Sequence, residues 1–159
     1  WSSDVCSSDL LTVAENLEMR AFAAQLRMAQ FRSRCEQIYE IFPKLADRQN
    51  QRAGSLSGGE RQVLAMGKAL MLNPQVLVLD EPSAALSPQW VQLVFEQIQR
   101  INHRGTAILL VEQNAKSALK IAHRGYVLDQ GKECFTGTGL ALLSDPQVGN
   151  LYLGKGRHH

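Results

Sequence analysis

The stretch VLVLDEPSAALSP, residues 76–88, decides how this chain is read. An apolar run leads into Asp80, then Glu81, then Pro82. Such a continuous run is expected of a strand covered on both faces, as in a parallel sheet. Parallel sheets bind ligands beyond the carboxyl ends of their strands, which is where Asp80 and Glu81 fall. Neighbouring residues at a strand end face opposite sides, so the two carboxylates are free to take separate jobs. Asp80 is suited to holding a magnesium ion through water, and Glu81 to facing an attacking water. The competing reading is a solvated Asp-Glu-Pro turn. Triphosphate chemistry of this kind also needs a phosphate cradle, G-x-x-x-x-G-K-[ST]. The 159 residues contain none: Gly67-Lys68 is followed by Ala69, and Gly131-Lys132 by Glu133.

Working outward, Thr12 and Glu15 have capping-box spacing and open a helix reaching about Ala24. Phe31, Cys35, Ile38, Tyr39 and Phe42 recur at helical spacing until Pro43. Residues 44–56 read as a short helix and a loop, and Gly59 to Leu72 as a further helix. Ser87-Pro88 fits the start of a helix whose apolar face is Val91, Val94, Phe95, Ile98 and Ile101. TAILLVE, residues 106–112, is a second buried strand, after which Asn114 caps a helix through Ile121. GYVLDQGKECFTG, residues 125–137, reads as two strands around Gln130-Gly131, and Asp145-Pro146 starts the last helix. Alternating strands and helices predict an α/β fold with a mostly parallel sheet, preceded by a helical subdomain.

Composition narrows the function classes. The chain is 45% hydrophobic and 20% charged with a formal net charge of +2, ordinary for a globular domain. No basic run or basic-aromatic patch marks a nucleic-acid binder. Cys6, Cys35 and Cys134 are scattered, an odd number without zinc spacing, and read as reduced thiols. No apolar run approaches the roughly 20 residues of a membrane span, so a membrane role would act through a partner. The first ten residues, WSSDVCSSDL, resemble a translated sequencing adapter and are set aside, with native sequence expected from about Leu11. His103 and His123 lie near helix ends as solvated histidines, His158-His159 is a tail, and Trp90 is a packing residue. Arg61 and Gln62 are expected on an exposed helix face.

LSGGERQ, residues 56–62, adds a second motif. Ser57 and Glu60 have capping-box spacing, and Gly58 and Gly59 between them leave first-turn amides uncovered. A helix start with bare amides and a positive dipole end favours anions. The alternative is an ordinary cap whose glycines serve only the turn.

Taken together, LSGGERQVLAMGKALMLNPQVLVLDEPSAAL resembles the signature motif, following helix and Walker B segment of ABC-type ATPases. LTVAENL is similar to the segment entering their helical subdomain. AILLVEQNAKSAL and DPQVGNLYLG are most similar to one branch, the ATP-binding subunits of branched-chain amino-acid importers. The resemblance implies a partial P-loop ATPase core with a mostly parallel sheet plus an N-terminal helical subdomain. Its parts would be a non-native segment at 1–10, the helical subdomain with signature motif at 11–72, and the C-terminal part of the core at 73–159. It implies ATP and Mg2+ as cofactors, with Asp80 near the metal and Glu81 as catalytic base. Gln113 occupies the place of the family's switch histidine; it donates a hydrogen bond but carries no proton charge. Ser57, Gly58, Gly59 and Glu60 form half of a composite site serving ATP held by a second subunit in a head-to-tail dimer. Ser83 to Ser87 form the loop crossing that interface, with Ser87 where aspartate is frequent.

The resemblance also implies transmembrane permease subunits as partners, no nucleic acid, and a cytoplasmic place on the inner face of the membrane. The phosphate loop would precede Leu11, so the chain reads as a C-terminal fragment, inactive alone and an ATPase when completed. A chromosome-organising or other nucleic-acid ATPase shares the motifs but carries long coiled-coil heptads, not seen here. A ribosome-associated ABC protein would need paired cassettes and a charged linker. An inactive truncated product is the remaining alternative.

Overall fold

The structure is a computed structural model and describes residues 7–152. The chain forms two compact units. One holds the residues through Val78 together with Ala84–Leu109; the other holds Leu79–Ser83 and the residues from Leu110 onward.

The first unit is mainly helical. Helix α1, Ser7–Leu10, is a single turn from the segment set aside above. Its Ser8 carbonyl accepts a 2.9 Å hydrogen bond from the buried Asn16 side chain. Helix α2, Val13–Ala23, begins with the expected capping box. Thr12 Oγ1 accepts from the Glu15 N–H at 3.2 Å, and Glu15 Oε2 accepts from the Thr12 N–H at 2.7 Å. Helix α3, Met28–Ile41, starts three residues before the periodic run, where the Gln30 side chain accepts from the Arg27 N–H. Pro43 does more than stop it. Its fixed φ and missing N–H suit a first helical residue, and it opens α4, Pro43–Asp47. A short 3-10 turn, Ala53–Ser55, leads to α5, Gly58–Leu70. Leu17, Ile38, Phe42, Leu45, Met66 and Met71 are almost fully buried and form much of this unit's core. Helix α6, Pro88–His103, has Pro88 in its first turn and buries Val94, Phe95, Ile98 and Ile101, the stripe its periodicity announces.

Strands β1, Val76–Asp80, and β2, Ala107–Val111, pair directly. The Ala107 N–H donates to the Gln75 carbonyl and the Glu81 N–H to the Val111 carbonyl, each at 2.8 Å. These bonds join the two beginnings and the two ends, so the pair is parallel and both carboxyl ends lie at one edge.

One expectation needs correction. β1 is covered on one face: Leu77 and Leu79 are buried, while Val76 and Val78 are 58% and 61% exposed. In β2, Leu109 and Val111 are likewise more than half exposed. Side chains alternate across a strand, so a single covering layer reaches only every second residue. A uniformly apolar run does not reveal how many layers cover it.

The second unit follows β2. Helix α7, Ala115–Ile121, is capped by Asn114, whose Oδ1 accepts from the Ser117 N–H. Strands β3, Gly125–Asp129, and β4, Lys132–Gly137, form an antiparallel hairpin. Its turn is Gln130-Gly131, both at positive φ (47° and 75°), as a tight two-residue hairpin loop requires. Helices α8, Gly139–Ser144, and α9, Pro146–Tyr152, complete the described chain. Asp145 Oδ1 accepts from the Gln147 and Val148 N–H groups at the start of α9. Leu119, Leu142 and Val148 form a small core with Val127, Phe135 and Leu143 against it. The fold is thus α/β, with one parallel and one antiparallel strand pair. Among the described residues no helix is long and apolar enough to cross a membrane. Cys6, His158 and His159 lie outside the described residues.

Candidate functional site

The carboxyl edge of the β1–β2 pair brings two of the expected residues together. Glu81 follows the last residue of β1, and its Oε1 accepts a 2.6 Å hydrogen bond from Gln113 Nε2. Gln113 reaches it from the segment after β2. Glu81 is not a continuing strand residue. Its φ of +45° is left-handed, a region that a non-glycine residue occupies at a cost of about 1–3 kcal/mol. The 2.8 Å bond from its N–H to the Val111 carbonyl helps hold it there.

Asp80 is exposed at the end of β1. Among the described residues no group of three His, Cys, Asp or Glu could hold a metal. Magnesium keeps most of its waters and often takes one protein carboxylate plus phosphate oxygens. Asp80 can supply that carboxylate; any phosphate grip must come from other residues.

Glu112, the last residue of TAILLVE, was not singled out in the sequence. One carboxylate oxygen accepts from the Ser83 N–H at 2.9 Å and the other from the Asn114 N–H at 3.2 Å. The available signal was positional: it is a carboxylate at the same strand edge as Asp80.

The second group lies at the start of α5, within the other unit. Ser57 is the cap: its Oγ accepts from the Glu60 N–H at 3.3 Å, and Glu60 Oε2 accepts from the Ser57 N–H at 2.8 Å. This reciprocal cap leaves the Gly58 and Gly59 N–H groups, which no helical carbonyl reaches. Gly58 is exposed, with only the Leu86 side chain near the position of a Cβ, at 3.9 Å. Gly59 is buried for a different reason. A Cβ there would fall within 2.6 Å of Trp90 Cγ and Cε3. The indole therefore packs directly on the backbone of the motif, as a packing residue should, while Lys44 Nζ sits 4.3 Å from its ring centroid.

Glu60 also pairs with Arg48, Nε to Oε1 at 2.6 Å. Burial pushes its carboxyl up, but hydrogen bonds from Ser57 and the charges of Arg48 and Lys44 outweigh this and hold it below its ordinary value. An open cavity of about 400 Å³ lies beside the pair, lined by Lys44, Asp47, Arg48, Asn50, Gln51 and Glu60. Nothing in the spacing of Arg48 pointed to this role. Arg61 is exposed, as expected, and donates to the Leu56 carbonyl at 2.8 Å; Gln62 is half-buried. His103 is exposed and its Nδ1 lies 2.8 Å from the Gln99 carbonyl, and His123 is exposed.

A parallel strand pair ending in Asp-Glu-Pro and a capped Ser-Gly-Gly-Glu helix start are features of ABC-type cassettes. The chain belongs to the ABC transporter family, whose profile matches residues 2–84. It is 46% identical over 144 residues to a high-affinity branched-chain amino acid transport ATP-binding protein, BraG, of Pseudomonas aeruginosa, covering 91% of this chain and 61% of the relative. It is 39% identical to a probable branched-chain amino acid transport ATP-binding protein, LivF, of Archaeoglobus fulgidus, with 91% and 61% covered. Among solved structures it resembles an ATP-binding cassette of an ABC transporter in its ADP conformation. The TM-score is 0.72 and the identity 26%, with 92% of this chain and 64% of that chain covered. The chain therefore spans about three fifths of the length of these relatives.

Proposed function

We propose that this chain is the signature and Walker B part of an ATP-hydrolysing motor subunit of an ABC importer for branched-chain or other hydrophobic amino acids. The observation that carries the reading is the 2.6 Å bond between Gln113 and Glu81 at the edge where a parallel sheet offers its ligand site. The names of the two relatives supply the substrate class.

In this reading Glu81 takes the proton of the attacking water through the carboxylate oxygen that Gln113 does not hold. Gln113 fixes the carboxylate's orientation and offers a donor that stays neutral at every working pH. Asp80 would hold magnesium, as a single exposed carboxylate at the strand end. The ion, when bound with ATP, neutralises phosphate charge and orients the phosphates. The N–H groups of Gly58 and Gly59 and the Ser57 side chain would bind the γ-phosphate of ATP held by a second subunit in a head-to-tail dimer. Ser83 to Ser87 lie along that dimer interface. Permease subunits at the inner face of the membrane convert dimer closure into transport.

The test is a completed cassette in which the upstream part of the Pseudomonas relative is joined ahead of Leu11, assembled with that relative's permease. Glu81→Gln keeps the volume and removes the base, so turnover should fall by about 10²–10⁴-fold with ATP binding retained. ATP-dependent uptake of leucine, isoleucine or valine should disappear with it. Turnover within a factor of two of the parent would rule out Glu81 as the base. Intact turnover without uptake of these amino acids would rule out the substrate class.

A further inference from the structure

Glu112 stands between the two loops that carry the reacting pair, and no role in the reaction has been given to it. Its carboxylate is divided: one oxygen takes the Ser83 N–H, two residues beyond Glu81, and the other takes the Asn114 N–H, one residue beyond Gln113. We propose that Glu112 is a positioning residue, a clamp that sets the separation of Glu81 and Gln113 by holding the backbone on both sides of the contact. The inference rests on Glu81 being the base.

Three observations support it. The pair it would set is a direct side-chain contact, 2.6 Å long, so its geometry follows the separation of the two loops that carry it. Glu81 sits in a left-handed conformation that needs restraint, and the bond from its N–H to Val111 restrains only one side. The Ser83 bond supplies the other. Finally, only a carboxylate fits both donors. It has two acceptor oxygens and no hydrogen, whereas a glutamine of the same size has one acceptor and an NH2 group that would face a backbone N–H. If Glu112 merely capped α7, the Asn114 contact would suffice and the Ser83 bond would have no purpose.

The experiment has two arms. In the 159-residue chain, amide hydrogen exchange is followed in the parent and in Glu112→Gln. Exchange at Ser83, Asn114 or both should accelerate about tenfold or more, the loss expected for a hydrogen bond to a charged acceptor. The Leu142 amide, bonded to the Thr138 carbonyl, should not change. Unchanged exchange at both sites overturns the clamp.

In the completed cassette, Glu112→Gln should lower kcat by about tenfold or more and leave the KM for ATP within about twofold, since phosphate binding lies elsewhere. The kinetic signature is non-additivity: combined with Gln113→Ala, Glu112→Gln should cost little further. Additive losses would indicate a structural residue and overturn the proposal. Glu112→Asp keeps the charge but is one methylene shorter, so it should retain one of the two bonds and fall between parent and Gln. If neither variant folds, Glu112 is a stability residue and the proposal fails. The underlying reading fails separately: a cassette that keeps full turnover with Glu81→Gln has another base, whatever the exchange arm reports.

Discussion

The two glycines of the signature are adjacent in sequence yet placed in unlike surroundings, and exchanging each for alanine separates packing from helix propensity. Both occupy the first turn of α5, so each substitution gains a similar propensity increment, at most about 1 kcal/mol. At Gly58 the new methyl group meets nothing closer than Leu86 Cδ2 at 3.9 Å, an ordinary contact. At Gly59 it would lie within 2.6 Å of Trp90 Cγ and Cε3. These atoms are near the root of the ring, so relief requires moving the start of α6 or driving the indole off its rotamer. Overpacking of this kind costs about 1–3 kcal/mol. The propensity gains cancel in the difference between the variants, leaving that cost. At about 2–4 °C per kcal/mol for a chain of this size, Gly59→Ala should unfold roughly 2–12 °C below Gly58→Ala. The assay is thermal unfolding by circular dichroism, repeated in a Trp90→Ala background. Removing the ring should close the gap. A Gly59→Ala protein that melts at or above Gly58→Ala with Trp90 present would refute the packing argument.

Glu60 makes stability depend on acid. Its folded pKa is lowered, so its contribution is complete above the ordinary value of 4.5 and is lost as pH falls through the lower folded value. Glu60→Gln, which keeps a cap acceptor but not the ion pair with Arg48, should show a shallower loss of stability in urea titrations across that acid range. Cys35 has its thiol pushed up to about 11 by burial and by the charges of Glu18 and Glu36. Peptide-resolved alkylation with iodoacetamide at mildly alkaline pH should therefore label the exposed Cys134 well before Cys35; equal labelling would contradict that environment. The 159-residue chain carries Asp80 and Glu81 but no G-x-x-x-x-G-K-[ST] segment. Calorimetric titration with Mg-ATP should show no appreciable binding, and micromolar one-to-one binding would show that other residues grip the phosphates.

Features set by neighbours in the chain were legible from sequence. Thr12 with Glu15 and Ser57 with Glu60 form the capping boxes that their spacing states. Gln130-Gly131 turns the β3–β4 hairpin, and the stripe from Val94 to Ile101 is the buried face of α6. Strand ends and family resemblance named Glu81 and Gln113 one by one, but their meeting is visible only in the fold, because they are 32 residues apart. What stayed hidden depends on residues distant in sequence. Arg48 reaches Glu60 because α4 packs near α5, and no spacing rule encodes that approach. Trp90 explains the need for Gly59, but an isolated Gly-Gly is equally consistent with a turn. Glu112 looks like one more polar residue at a strand end until its two oxygens are traced to separate loops.

The one-sided cover of the parallel strands has a consequence for heat capacity. Val76, Val78, Leu109 and Val111 already hydrate much of their apolar surface in the native state. Unfolding exposes that part of the chain to little new water, and apolar exposure is what raises the heat capacity of an unfolded protein. A fully covered domain of this length would show an increment of about 2 kcal/mol/K; this chain should show less. Its stability curve should accordingly be flatter with temperature, with a broader top. Cold should weaken it less steeply than a protein whose strands are dry on both sides.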